Sequence, residues 1–548
     1  MRLSERQSLP PIPKTFNPVL DILERWASLE PEALAVVSVG ADGNLVRVQT
    51  TADLALESRR MGRALVRLGI SKGERILIMM SRIPAWYTAM LGSLRIGAVA
   101  IPTPNQCTSR DIAYRIASAR PVAVIADELA ARRIADAVDN NSCLRHRILW
   151  TENASETPGW RNLNALLDEA GDGPTPQDPT TDEDPLLIFF TSGTVSYPKM
   201  VLHRQSYALG HISTARYWHG IRPGDRHWTI SDTGWAKAAW GSLFGQWHEH
   251  ATVIQANLAK PRAASILSII GTHKVTSFCA PPTLYRLLVQ ENLGTYDLSC
   301  LRNCTSAGEP LNPEVIRKWR DGTGLIIRDG YGQTESTLLV ANTVEMAVRP
   351  GSMGRPMPGY EVAVVDDHGQ RLAAGQIGNV AVAIDPRPVG LFSEYLQNDE
   401  ETRKAFRSGW YFTGDKAFVD EEDYFWFSSR ADDVITSSAY RIGPFEVESA
   451  LSEHPAVLEA AVVGKDDPER TQIVCAFVIL ANGYTGSERL TRDLQEHVRR
   501  LTAPYKYPRE IHYCEELPKT ISGKIRRSEL RRCLDETRYC STGDPTRT

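Results

Sequence analysis

Of 548 residues only nine are cysteine, scattered and odd in number. That excludes a disulfide scaffold and reads as reduced, mostly buried thiols. No apolar run approaches the roughly 18 residues that a membrane-spanning helix needs. The start, MRLSERQSLPPIPKTFN, holds no apolar stretch of the kind a secretory signal uses. It carries positive charge beside Glu5 and three prolines, a poor amphipathic transit pattern. A cytoplasmic chain is therefore expected, with organellar targeting left open. Excess charge of one sign is missing too: 62 Lys and Arg face 66 Asp and Glu, giving a formal net charge of −4. Nothing there points to nucleic acid or an anionic membrane as a partner. Internal repeats and low-complexity tracts are absent. The nearest thing to a metal signature is His248-Glu249-His250, a weak H-x-H on one short strand face.

What remains is the composition expected of a soluble globular protein, 42% hydrophobic and 23% charged, and too long for one core. Helical spacing runs over Ala52–Leu68 and Ala85–Ile96, with Gly69 as a stop. Arg75–Met80, Val99–Pro102 and Val122–Ala126 read as short buried strands between them. Such alternation implies parallel sheets covered by helices. The polar stretch Gly171–Asp184 reads as a surface linker. From Gly351 to Phe427 short strands, such as Glu361–Val365 and Gly378–Val382, are split by Gly, Pro and Asp turns, which suggests a β-rich subdomain. After Arg430 the pattern changes again. A helix from Val447, strands Val457–Gly464 and Cys475–Leu480, and a helix Leu490–Leu501 make a final α+β unit.

Chemistry concentrates in a few short stretches. TSGTVSYPKM, from Thr191 to Met200, follows the apolar run Leu186–Phe190. A strand feeding a loop of hydroxyls, backbone N–H groups and a Lys suits a triphosphate, although Walker spacing is absent. In YGQTES, Tyr331 offers a ring to stack on a base, Thr334 a hydroxyl for phosphate and Glu335 a hard carboxylate for Mg²⁺. Ser306-Ala307-Gly308-Glu309-Pro310 is a small-residue turn that a flat ligand can approach. Tyr411-Phe412-Thr413-Gly414-Asp415 sets an acid where ribose hydroxyls can donate to it. Ser429-Arg430-Ala431-Asp432-Asp433 and PKTISGKIRR, with Lys524, follow. Each is commonplace alone: a Tyr-Gly pair is usually a loop, an Asp after Gly a cap, and a Lys in a basic tail a solvated charge.

Together, in this order, they resemble the adenylate-forming superfamily of acyl-CoA synthetases, peptide-synthetase adenylation domains and luciferases, over about Phe16 to Arg532. SDTGWAKAAWGSLFG, SAGEPLNPEV, GLFSEY, RIGPFEVESALSEHPAV and TAPYKYPREI are most similar to the medium-chain acyl-CoA synthetases. The resemblance implies an α/β fold: a large N-terminal region (1–431) of two α/β subdomains plus a β-rich subdomain, and a small mobile C-terminal α+β domain (432–548). It implies an ATP- and Mg²⁺-dependent ligase that converts a small to medium-chain acid, branched and aryl acids included, to acyl-AMP and then to its CoA thioester. The expected partners are the acid, ATP and CoA, with the chain a monomer or homodimer.

Carried over residue by residue, Thr191, Ser192, Gly193, Thr194 and Lys199 resemble the β,γ-phosphate loop, and Gly308, Glu309 and Pro310 the adenine wall. Tyr331 resembles the stacking ring, Thr334 the α-phosphate donor, Glu335 the Mg²⁺ ligand, and Asp415 and Arg430 the ribose contacts. Lys524 matches the catalytic lysine and Asp432 the hinge. Ala439, Tyr440 and Arg441 fall on the CoA side. Gly234, Trp235, Lys237 and Trp240 fall where the family lines its acyl pocket. Two of these have bland alternatives: Trp240 and Phe244 as one helix's core face, and Lys237 as a solvated helix residue, the reading favoured here.

The chain departs from the family pattern at Val195 and Ser196, where Thr or Ser and then Gly are usual. Ser429 also replaces a Gly. Ala439 replaces a Gly where the pantetheine arm passes, and its methyl either narrows that tunnel or is simply tolerated. Narrowing would turn the enzyme toward a separate carrier-protein thiol or an amine as acceptor. An inactive nucleotide- or acyl-binding relative is the third reading. Against it, Thr194, Lys199, Glu335, Asp415, Arg430 and Lys524 are all present.

Overall fold

The computed structural model describes residues 11–138, 143–152, 157–176, 178–191, 198–258, 262–430, 433–437, 440–468, 470–520 and 524–535. Ser192, Gly193, Thr194, Val195, Ser196, Asp432 and Ala439 lie outside the described residues, as does the side chain of Arg441.

The helix Thr51–Arg67 shows how local sequence sets an element. Thr50 accepts from the Asp53 backbone while Asp53 caps Thr50 in return, which satisfies two free N–H groups at the start. Leu54, Met61 and Leu65 on its inner face are fully buried. Each such burial is worth roughly 1.5–3 kcal/mol. Strand–helix alternation gives the parallel core Val99–Pro102, Arg75–Met79, Ala123–Asp127, His146–Trp150. Pro185–Phe190, Met200–Arg204 and Glu394–Tyr395 extend this sheet on one side. A second sheet has a parallel centre of Thr252–Ala256, Arg226–Thr229, Ser277–Cys279, Asn303–Ala307 and Ile327–Gly332. The β-rich part pairs Val362–Val365, Gly378–Ala383, Trp410–Val419 and Phe425–Arg430 antiparallel. A fourth sheet pairs Val457–Asp467 with Thr471–Leu480, to which Glu510–Tyr513 adds in parallel. This is the α/β arrangement expected.

The two parallel sheets meet at their carboxyl ends. Arg82, just past the strand Arg75–Met79, donates to the carbonyls of Ser231 at 2.6 Å and Leu258 at 3.2 Å. Thr233 donates back to the Met80 carbonyl at 2.6 Å. Between these bonds Gly234 lies against the backbone of Thr103–Pro104, so closely that a Cβ would fall 2.0 Å from the Pro104 nitrogen. A glycine is required there for close approach. Ligands in open α/β folds collect at strand carboxyl ends.

The described residues of the polar stretch before Pro185 are mostly at the surface, as a linker's should be, and the stretch is fastened to the body: Thr180 is buried, donates to the Phe16 carbonyl at 2.7 Å and accepts from its N–H at 3.0 Å. One expectation is corrected. The 248–250 segment is not a strand. His248 ends a short helix and faces Glu249 at 3.2 Å, whereas His250 faces Glu30 at 2.9 Å, so the two rings serve different carboxylates.

Gly234→Ala is expected to cost about 1–3 kcal/mol, because backbone on both sides must part to admit a methyl. Thermal melts at a fixed scan rate check this, and an unchanged midpoint would show that the junction is slacker than its geometry.

Candidate active site

At the carboxyl ends of both sheets lies a cavity of about 670 Å³ whose wall includes Thr191, Lys199, Gly308–Pro310, the run Asp329–Glu335, Thr413–Asp415, Arg430 and Lys524. The structure thus brings residues of the TSGTVSYPKM, SAGEP, YGQTES, YFTGD, SRADD and PKTISGKIRR stretches to a single place. Gly308 adopts φ +110° with open space where a Cβ would be. An L side chain would be strained there, and the open face leaves backbone accessible to a flat group.

Asp415 is a buried acid of this wall. Its Oδ2 accepts from the Tyr331 phenol at 2.6 Å and from Gln333 Nε2 at 2.6 Å. Gln333 also donates to the Thr413 carbonyl at 2.9 Å, and its Oε1 accepts from Tyr411 at 2.8 Å. Burial pushes the Asp415 carboxyl up, while Arg430, Tyr331, Lys524 and Gln333 pull it back. Arg430 stands opposite Asp415 on the neighbouring strand.

Glu335 accepts from the Tyr395 phenol at 2.8 Å, and burial raises its carboxyl against that bond. Lys199 packs over the Tyr395 ring, 4.6 Å from its centre, and its ammonium pairs with Glu401. The ends of the hydroxyl-rich loop are pinched together: Thr191 N–H donates to the Lys199 carbonyl, and Lys199 N–H to Thr191 Oγ1, both at 3.0 Å. The Thr334 carbonyl is held by His203 Nε2 at 2.8 Å. Burial pulls that imidazole down to about 3, so it is neutral and donates.

Four residues were expected to line an acyl pocket. None of them is among the cavity's wall residues. Gly234 makes the sheet junction. Trp235 precedes the helix Ala236–Ser242 as its half-buried cap residue. Trp240 is buried with its ring against Gly332, directly behind the cavity wall. The helix ends before Phe244, which has φ +47° and belongs to a different apolar cluster, so the shared core face of Trp240 and Phe244 does not exist. Lys237 is not solvated either. Its Nζ donates to the Ala307 carbonyl at 2.9 Å, next to Gly308, and burial pulls its ammonium down. Asp329, nearby, is pushed up to about 8 by burial, against bonds from Gly330 and Leu311 and the attraction of Lys237.

Lys524 reaches this cavity from beyond the fourth sheet, near enough for its charge to bear on Asp415 and Lys237. Tyr440 stacks face to face on Tyr505, ring centres 3.9 Å apart, outside the cavity wall. Sequence reasoning missed Gln333, Tyr395, Tyr411 and Glu401. Gln333, Tyr395 and Tyr411 lay inside the quoted stretches YGQTES, GLFSEY and Tyr411–Asp415, so their motifs were a signal. Glu401 carried none. Among the described residues, the one group of three side chains close enough to share a metal ion is Cys475, Glu510 and His512, away from the cavity.

The chain belongs to the AMP-binding enzyme family. The family model for AMP-binding enzymes matches residues 23–396, and that for the AMP-binding enzyme C-terminal domain matches 446–524. It is 42% identical over 531 residues to the mitochondrial acyl-coenzyme A synthetase ACSM3 of Pongo abelii, covering 95% of this chain and 90% of the relative. It is 43% identical over 531 residues to the mitochondrial acyl-coenzyme A synthetase ACSM5 of Homo sapiens, covering 95% and 91%. A crystal structure of the anthranilate CoA ligase AuaEII in complex with anthranoyl-AMP superposes with TM-score 0.87 at 31% identity, covering 96% of this chain and 98% of that one.

Asp329 supplies a pH test. A carboxyl raised from 3.8 to about 8 makes the folded state hold a proton that the unfolded chain releases, so stability falls as pH rises between those values. Asn does not titrate. The melting midpoint of Asp329→Asn relative to wild type should therefore climb by several degrees from pH 5 to pH 8.5. A pH-independent difference would refute the shift.

Proposed function

We propose that the protein is an ATP-dependent acyl-CoA synthetase for small to medium-chain acids, branched and aryl acids included, and that 432–548 is a mobile domain carrying Lys524. The observation that carries this is Lys524 entering, from the last sheet, a cavity already walled by Lys199, Thr334, Glu335 and Asp415. A carboxylate attacking the α-phosphate brings two anions together. Oriented cations and donors must offset that repulsion, which is the task of a preorganised electrostatic site. In this reading Lys524 bridges the acid and the α-phosphate, and Thr334 donates to the phosphate. Thr191 and Lys199, with the loop 192–194, grip the pyrophosphate side. Tyr331 and Gly308–Pro310 enclose adenine, and Asp415 with Arg430 takes the ribose. AMP leaves when the CoA thiol attacks the acyl carbon, with Ala439, Tyr440 and Arg441 on that side and Asp432 as the hinge.

Mg²⁺ fits as an ATP partner. Glu335 offers one hard oxygen ligand, and a Mg²⁺ ion held by one carboxylate takes its other ligands from phosphates and water. When bound, it would neutralise phosphate charge during transfer. The chain-length reading is supported by Trp240, whose bulky indole packs behind Gly332 and would shorten an acyl pocket on that side. Aryl acids are favoured by likeness to a ligase solved with anthranoyl-AMP. No helix among the described residues is long and apolar enough to cross a membrane. The cytoplasm is the proposed compartment, and the mitochondrial names of both curated relatives favour the organellar alternative.

Pyrophosphate exchange with butyrate, a branched C5 acid, hexanoate, octanoate and benzoate, each then followed for CoA-dependent AMP release, tests the reading. Exchange without CoA-stimulated product would favour a carrier thiol or amine acceptor, and no exchange with any acid an inactive relative. Lys524→Ala should lose adenylation by at least on the order of 10²-fold while keeping thioester formation from supplied acyl-AMP. An equal fall in both half-reactions would remove Lys524 from the first step.

A further inference from the structure

Arg286, on the helix Pro282–Leu288, stands between two carboxylates of different sheets. Its Nη2 lies 3.6 Å from Glu309 Oε2 at the adenine-side wall and 3.4 Å from Glu459 Oε1 on the strand Val457–Asp467. Glu309 is fixed in turn by the Thr283 hydroxyl at 2.9 Å. The other oxygen of Glu459 accepts from Lys519 at 2.9 Å. Lys519 begins the turn that carries Lys524. Lys519 bridges Ile525, Thr520 N–H donates to the Lys524 carbonyl at 2.7 Å, and Lys524 N–H donates to Thr520 Oγ1 at 3.1 Å. A continuous series of contacts thus runs from the adenine-side wall to the lysine: Glu309, Arg286, Glu459, Lys519, Lys524.

Two features make Glu459 the pivot of this series. Its side chain is only 15% exposed, less than Arg286 at 25% or Lys519 at 30%. The strand bulges between Val457 and Glu459, so that Leu458 turns outward and Glu459 is aimed at the cavity rim. A bulge re-aims a side chain in this way. Two cations and two carboxylates balance. Removing the Glu459 charge would leave Arg286 and Lys519 facing each other with no carboxylate between them.

We propose that Glu459 and Arg286 are positioning residues for adenylation, docking the Lys524 turn against the adenine-side wall. The inference rests on the reading of Lys524 given above. Neither residue touches the reacting atoms. Their removal should slow the step that needs Lys524 in place and spare the step that does not.

Glu459→Gln should lower the kcat of pyrophosphate exchange by about tenfold or more, the order of cost of a misplaced catalytic group. Thioester formation from supplied acyl-AMP should stay within about twofold, which also reports that the variant is folded. Glu459→Asp should recover part of the loss, and Arg286→Met should reproduce it. In a Lys524→Ala background, Glu459→Gln should add nothing to the loss of exchange. Unaffected exchange in Glu459→Gln, or an equal fall in both half-reactions, overturns the proposal while Lys524→Ala still shows its split. If Lys524→Ala itself spares exchange, it is the underlying functional reading that fails.

Discussion

A buried carboxylate that cannot be left alone organises this molecule. Asp415 sits in low dielectric, where an unpaired charge is costly, and its cost is offset by donors from distant parts of the chain. Tyr331 and Gln333 come from the end of the second sheet, while Tyr411 and Thr413 steady Gln333 from the β-rich sheet. The same network therefore joins two sheets and shapes one wall of the cavity. Removing one member would strand the others, because partly satisfied buried networks are worse than apolar packing. Stability and site geometry are not separable there.

The other walls repeat this economy with weaker parts. Glu335 and Lys199 do not meet each other but share Tyr395, one through its hydroxyl and the other over its ring face. Lys237 lies behind the cavity and Asp329 in its wall, each displaced by burial toward its neutral form. By contrast, the link to the last sheet through Arg286 and Glu459 is partly exposed. It suits the proposed mobility of the last domain better than a fully buried link would.

Much of this was legible in the chain because it is local. Helix Thr51–Arg67 follows from its spacing and cap, and the strand cores from short apolar runs between turns. The motif residues also converge, because strand ends in parallel sheets share one edge. What stayed hidden depends on pairing across long separations. Nothing near Lys199 says that Glu401, some 200 positions later, will hold its ammonium. Lys237 looked like a surface lysine because its partner is a backbone carbonyl, which no side-chain pattern advertises. The end of the helix carrying Trp240 is hidden in the sequence because the left-handed turn at Phe244 has no glycine to mark it. The ties of the stretch before Pro185 have no local signal because they run to Phe16 and Lys72 rather than to neighbours.

The ion pair between Lys199 and Glu401 has a consequence for how the proposed phosphate grip works. A lysine already holding a carboxylate does not simply gain an anion; it trades one for another. Seating a polyphosphate is then a displacement, with the short helix Asp399–Ala405 as the leaving partner. Tightness at that end reflects the difference between two anions competing for one ammonium. A weak competitor such as inorganic phosphate would gain little from the exchange, which leaves the grip selective for chains of phosphate that bring further contacts of their own.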